Sequence, residues 1–198
     1  MFPLLETIKI IGRQPLNLQW HQRRLDYAFH ILFGTNNPMQ LNELIQVPDT
    51  FGEGLLKCRF LYGSTDFKIE YSEHSPRQVS SLKIVQCDTI DYSHKYTNRS
   101  MLTGLLEQKG EADDILIVRD GWITDTSYSN IVFFDGEAWF TPEEPLLEGT
   151  ARNRLLAEGK IFPAKIQPEN LKNYKSFKLI NAMLDFEEQE DMAIMNIY

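Results

Sequence analysis

Two cysteines in 198 residues, Cys58 and Cys87, are too few for a disulfide framework or a cysteine-rich zinc site. Both lie in apolar, strand-like runs, where a buried thiol is the expected state. Basic residues are the scarcer charge: 20 Lys and Arg against 28 Asp and Glu leave a formal charge of −8, with no Lys/Arg block. Such a chain lacks the cationic surface that grips nucleic acid or an anionic membrane. No apolar run approaches the roughly 20 residues of a membrane-spanning helix. The opening MFPLLETIKIIGRQ has neither the basic start nor the small-residue cleavage site of a secretory signal. These absences point to the cytoplasm, without nucleic acid or membrane among the partners. HExxH, Walker A, GxGxxG and GxSxG patterns are missing too. The four histidines, His21, His30, His74 and His94, are scattered without metal-ligand spacing, so each is expected to be structural or exposed and no metal site is expected.

What the chain does have is an ordinary globular composition, 42% apolar and 24% charged, which excludes a disordered chain. Apolar-rich Leu5 to Ile11 and Leu16 to Leu18 flank Gly12-Arg13 and predict a hairpin. Leu25, Ala28, Phe29 and Leu32 predict one face of a helix capped at Gly34. A shorter helix is expected around Leu41, Leu44 and Ile45, then two alternating strands, Leu56 to Tyr62 and Phe67 to Tyr71. The polar stretch Ser72 to Ser81 is the expected interdomain linker. Beyond it come a strand at Leu82 to Cys87, a helix ending by Gly110, and a β-meander turning at Asp120-Gly121 and Asp135-Gly136. A helix through about Glu158 follows, then strands near Ala164 to Ile166 and Phe177 to Ile180. Mixed hairpins and helices predict an α+β fold, with a small domain over 1–76 and a larger, lysine-bearing domain over 77–198.

Two places carry potential chemistry. Lys95 stands among Tyr92, His94 and Tyr96, where a strand is expected to end and a helix to begin. Partial desolvation there lowers the pKa of an amine and makes it the nucleophile that Schiff-base chemistry needs; the alternative is a solvated surface lysine. In Glu148-Gly149-Thr150-Ala151-Arg152 a glycine opens a helix whose N–H groups can bind a phosphate; the alternative is a plain helix start capped by Thr150. Arg24 is a further phosphate clamp or a solvated arginine beside Arg23.

Taken in order, the motifs resemble the class IV aminotransferases, the fold type IV enzymes that use pyridoxal phosphate (PLP). The resemblance is carried by Glu6-Thr7, His21-Gln22-Arg23-Arg24-Leu25, Lys95 with Tyr96-Thr97-Asn98-Arg99, Gly121-Trp122-Ile123-Thr124-Asp125 with Ser129-Asn130-Ile131, Leu146 to Arg152, and Leu179-Ile180-Asn181-Ala182. It implies that Lys95 forms the Schiff base with PLP and then shuttles a proton. Arg24, Gly149 and the N–H groups of Thr150 and Ala151 would hold the phosphate, completed by Asn181 and Ala182. Asp125 would keep the pyridine nitrogen protonated, standing where the family usually has glutamate. The implied fold is a small N-terminal α/β domain and a larger C-terminal domain rich in β-hairpins, with the cofactor between them, in a homodimer. The chain is short for the family, and its small domain is expected to be compressed. The implied activity is transamination between an amino acid and a 2-oxo acid. The alternatives are 4-amino-4-deoxychorismate lyase, which releases pyruvate to give 4-aminobenzoate for folate, and a non-catalytic PLP-binding protein. Arg59 and Arg99 are the candidates for binding a substrate carboxylate, and Arg24, lying off the apolar helix face, is expected to be replaceable without loss of the fold.

Overall fold

A computed structural model describes residues 2–198. Contacts divide the chain into two units: one runs to Pro76 and includes His94–Asn98, the other comprises Arg77–Ser93 and Arg99–Tyr198. Lys95, assigned from sequence to the second domain, packs with the first unit.

The first unit is built on β1 (Leu4–Ile11). Its alternation points Leu4, Glu6, Ile8 and Ile10 to one face, and all four are fully buried. Gly12 and Arg13, at φ 55° and 64°, make the tight turn into β2 (Gln14–Pro15). The expected Leu16 to Leu18 strand does not form. Leu16 N–H still donates to Lys9 O at 2.8 Å, but the chain then turns at Asn17 (φ 58°) into α1 (Leu18–Ala28). Helix α1 runs into a π-helical turn, Phe29–Phe33, closed by Gly34 at φ 66°. Leu25, Ala28 and Phe29 are buried as their spacing predicts. Leu32 is 39% exposed, because the wider π turn rotates it out of phase. After α2 (Leu41–Leu44) come β3 (Leu56–Tyr62) and β4 (Phe67–Glu73), giving an antiparallel sheet ordered β2-β1-β3-β4. Cys58 is buried on β3, and desolvation pushes its thiol up to about 12; Cys87 is only half-buried.

In the second unit β5 (Leu82–Gln86) precedes α3 (Ser100–Leu106) and pairs in parallel with β6 (Asp114–Arg119). Asp120 and Gly121, at φ 52° and 81°, turn β6 into β7 (Trp122–Thr126). The expected meander then breaks. Thr126 N–H donates to Ser129 O and Ser129 N–H to Thr126 Oγ1, a tight side-chain turn that ends the ladder. Strand β8 (Asn130–Phe134) therefore joins a second sheet with β9 (Trp139–Pro142). Helix α4 (Thr150–Ala157) leads to β10 (Phe162–Ala164), β11 (Ser176–Ile180) and β12 (Met192–Ala193), completing the order β10-β9-β8-β11-β12. The end of the expected linker is pinned, since Ser80 and Ser81 donate both N–H and O–H groups to the Asp113 carboxylate. Among the described residues no helix is long and apolar enough to cross a membrane.

Candidate functional site

In the first unit, a carboxylate on the core face of β1 must find charged partners, because burying it alone costs far more than the fold can offset. Helix α1 supplies them. Residues three apart share a face, so His21 and Arg24 both reach Glu6. Arg24 donates side-on, Nε to Oε1 at 2.9 Å and Nη2 to Oε2 at 2.6 Å. His21 Nδ1 donates to Oε2 at 2.7 Å, since a carboxylate only accepts. Glu6 and His21 are fully buried; the Arg24 side chain keeps 12% exposure. Burial alone would raise the Glu6 pKa, but the Arg24 charge and the bonds from His21 and Arg24 outweigh it and hold it at about 2. Burial lowers the pKa of His21, against the bonding of Glu6 and with a further push from Arg24 and Lys95. Arg24 is therefore no detachable surface group, since its loss would leave the buried Glu6 carboxylate without its side-on partner.

Lys95 is not at the junction of a strand and a helix. Strand β5 ends at Gln86 and α3 begins at Ser100. The lysine segment is irregular and is tied to β1: Leu5 N–H donates to Lys95 O at 3.0 Å, Thr97 N–H to Pro3 O at 2.8 Å, and Leu4 forms a bridge with Tyr96. Lys95 is half-buried, and its charge is felt at His21.

In the second unit Asp125 is buried near the end of β7. Asn130 Nδ2 donates to Oδ1 at 2.7 Å, and Leu147 N–H to Oδ2 at 2.9 Å. Desolvation raises the Asp125 pKa to about 6, against those bonds and the Arg152 charge. Asn130 Nδ2 also donates to Leu147 O at 2.9 Å, while its Oδ1 lies where a Cβ on residue 149 would have to go. Glycine at 149 is thus a matter of space, at an ordinary φ of −68°. It is the N-cap of α4 with no side-chain cap, so Thr150 is the first helical residue rather than the cap. The first-turn N–H groups, of Thr150 and Ala151 among them, have no partner within the helix. Arg152 turns inward, donating to Glu148 Oε2 at 3.0 Å and Pro142 O at 2.9 Å.

Asn181 and Ala182 follow β11 directly. The Asn181 side chain is spent within the chain, on Ser129 Oγ at 2.8 Å and on the N–H of Met183 at 2.8 Å. Arg59 is 40% exposed and paired with Glu70 at 2.8 Å. Arg99 bonds Tyr92 Oη and Ser127 O, and stacks 4.1 Å over the Tyr128 ring. Among the described residues, no group of three or more His, Cys, Asp or Glu side chains is placed to hold a metal. The candidates thus fall into two groups, Lys95 and Arg24 in the first unit and Asp125, Gly149 to Ala151, Asn181 and Ala182 in the second. Glu6, His21 and Asn130 were quoted in motifs but given no task. A signal for Glu6 was available, since it shares the parity of Leu4, Ile8 and Ile10.

The profile of the family described as amino-transferase class IV matches residues 3–186. An uncharacterised protein of Haemophilus influenzae is 37% identical over 185 residues, 92% of this chain and 98% of that one. A solved structure of a proposed 4-amino-4-deoxychorismate lyase from Haemophilus somnus 129pt is 38% identical, covers 92% of this chain and 97% of its own, and superposes with a TM-score of 0.86. A proposed amino-acid aminotransferase from Mesorhizobium loti, 20% identical over 98% of both chains, shares the fold with a TM-score of 0.75.

Proposed function

The chain belongs to the class IV aminotransferases, a PLP-dependent family of enzymes, and on that premise we propose that it binds PLP and moves an amino group between an amino acid and a 2-oxo acid. Bound PLP supplies an electron sink for the negative charge left on the substrate carbon. The residues present fit that group on one observation above all. Asp125 is a buried carboxylate with both oxygens oriented by chain donors, and through Asn130 it is tied to the glycine that opens α4. A carboxylate held in a desolvated place gains most from a cationic N–H, which a protonated pyridine offers.

On this reading Asp125 holds the proton on the ring nitrogen. Thr150 and Ala151 present their N–H groups to the phosphate at the positive end of α4, joined by the backbone at Asn181 and Ala182. Arg24 contributes a guanidinium to the same phosphate. Lys95 would hold the cofactor through its amine and would serve as the group that moves a proton at the amino-bearing carbon. A homodimer burying upward of about 1,000 Å² is part of the same proposal and is tested by sedimentation equilibrium.

A second reading, elimination of pyruvate from 4-amino-4-deoxychorismate, is supported by the name given to the Haemophilus somnus neighbour at 38% identity. Both reactions require Lys95 and Asp125. They separate on the need for an acceptor. Yellow holoenzyme mixed with single amino acids and no oxo acid should bleach once and stall if it transaminates. Release of pyruvate from aminodeoxychorismate with no acceptor, and no bleaching by any amino acid, replaces transamination with elimination. Absence of both reactions in a PLP-bearing protein removes the enzymatic reading.

A further inference from the structure

We propose that Glu6, propped by His21, is a positioning residue that aims the Arg24 guanidinium at the phosphate, a proposal resting on the phosphate role given to Arg24 above. Three donors converge on one fully buried carboxylate: Arg24 Nε, Arg24 Nη2 and His21 Nδ1. Such a cluster is a poor device for stability, since desolvating two charges consumes most of what their attraction returns. It is a good device for geometry. Side-on pairing through Nε and Nη2 fixes both the plane of the guanidinium and the direction of its far end, which a single contact leaves free to swivel. Exposure is graded along the cluster, from fully buried Glu6 through His21 at 1% to Arg24 at 12%, so the arginine is its outward end. An arginine already ordered by the fold has little side-chain freedom left to lose when an anion binds.

Two further features agree with this reading. The contribution of His21 is one more bond that holds the carboxylate in place. The same face of α1 carries His21 and Arg24, and the strand they meet is the one to which the Lys95 segment is tied by Leu5 N–H. The cluster therefore ties the arginine to β1, the strand to which the Lys95 segment is also bonded.

The test keeps the charge and changes the reach. Glu6→Asp retains the carboxylate but withdraws it by one methylene, so the side-on fork cannot form on both oxygens while His21 is also held. Binding of PLP and of pyridoxal, which lacks the phosphate, is measured by titration of the apoprotein with each. The variant should bind PLP about 3- to 10-fold more weakly, the penalty for ordering one arginine anew, with pyridoxal affinity nearly unchanged. The preference for PLP over pyridoxal is thus the readout. An equal loss for both ligands, or no loss for PLP, overturns the positioning role and leaves Glu6 a structural residue. Should Glu6→Asp fail to fold, the same ratio is read on His21→Asn, which keeps the Glu6–Arg24 pair and shortens the second prop. A narrowed ratio there supports the proposal and an unchanged one overturns it. Wild-type protein that binds PLP no better than pyridoxal instead removes the phosphate assignment itself.

Discussion

Alanine at position 149 would test the local architecture around Asp125 more sharply than any change of charge. The backbone there, at φ −68° and ψ 141°, accepts any residue, so strain is not the obstacle. Space is. An added Cβ would stand 3.1 Å from Asn130 Cγ and deeper still into its Oδ1, so the Asn130 side chain must move. That side chain donates to Asp125 at 2.7 Å and to Leu147 O at 2.9 Å. A bond to a charged group is worth about 1.5–3 kcal/mol and a neutral one about 0.5–1.5 kcal/mol. The reduced freedom of alanine in the unfolded chain returns about 0.4–1 kcal/mol. The net expectation for Gly149→Ala is a loss of about 2–3 kcal/mol, which at this chain length lowers Tm by roughly 5–10 °C. Thermal and urea unfolding of the single and double variants forms the assay. In the Asn130→Ala background both bonds are already gone, so adding Gly149→Ala should cost almost nothing more. Equal cost of Gly149→Ala in both backgrounds would refute the reasoning, because the clash with Asn130 would then not be its cause.

Lys95→Ala should abolish both the yellow colour and the adduct trapped by borohydride; peptide mapping that finds an adduct on another lysine removes Lys95 from the site. Arg24→Ala should destabilise the apoprotein by about 3–5 kcal/mol, because it leaves a buried Glu6 carboxylate with His21 as its remaining partner, besides weakening PLP binding; unfolding in urea measures the first and titration the second. Asp125, raised from 3.8 to about 6 by burial, makes the folded apoprotein bind more protons than the unfolded chain between those values. Its share of the stability is therefore highest below about pH 4 and falls by about 3 kcal/mol as pH rises past 6. The difference in unfolding free energy between wild type and Asp125→Asn should follow that slope, and a difference independent of pH contradicts it.

Local order could be read along the chain because it depends on near neighbours. The apolar run Leu5 to Ile11 and the alternation over Leu56 to Tyr62 marked two strands, and Gly12-Arg13 and Asp120-Gly121 marked two turns, since positive φ is a property of a few adjacent residues. The motif residues Arg24, Lys95, Asp125 and Gly149 could be named for the same reason. Reading failed where a distant partner decided. Beside β8, freed by the Thr126–Ser129 turn, stands β11, some fifty residues on, rather than β7. Arg24 stopped being a surface group once β1 brought Glu6 beneath it, 18 residues away in sequence. Gly149 proved to be required by Asn130 rather than by its own backbone angles. Whether a charge is solvated or buried, and whether a glycine is a hinge or a gap, depends on what folding places within a few ångströms. Residue type limits the partners such a group can accept, and only the tertiary structure chooses among them.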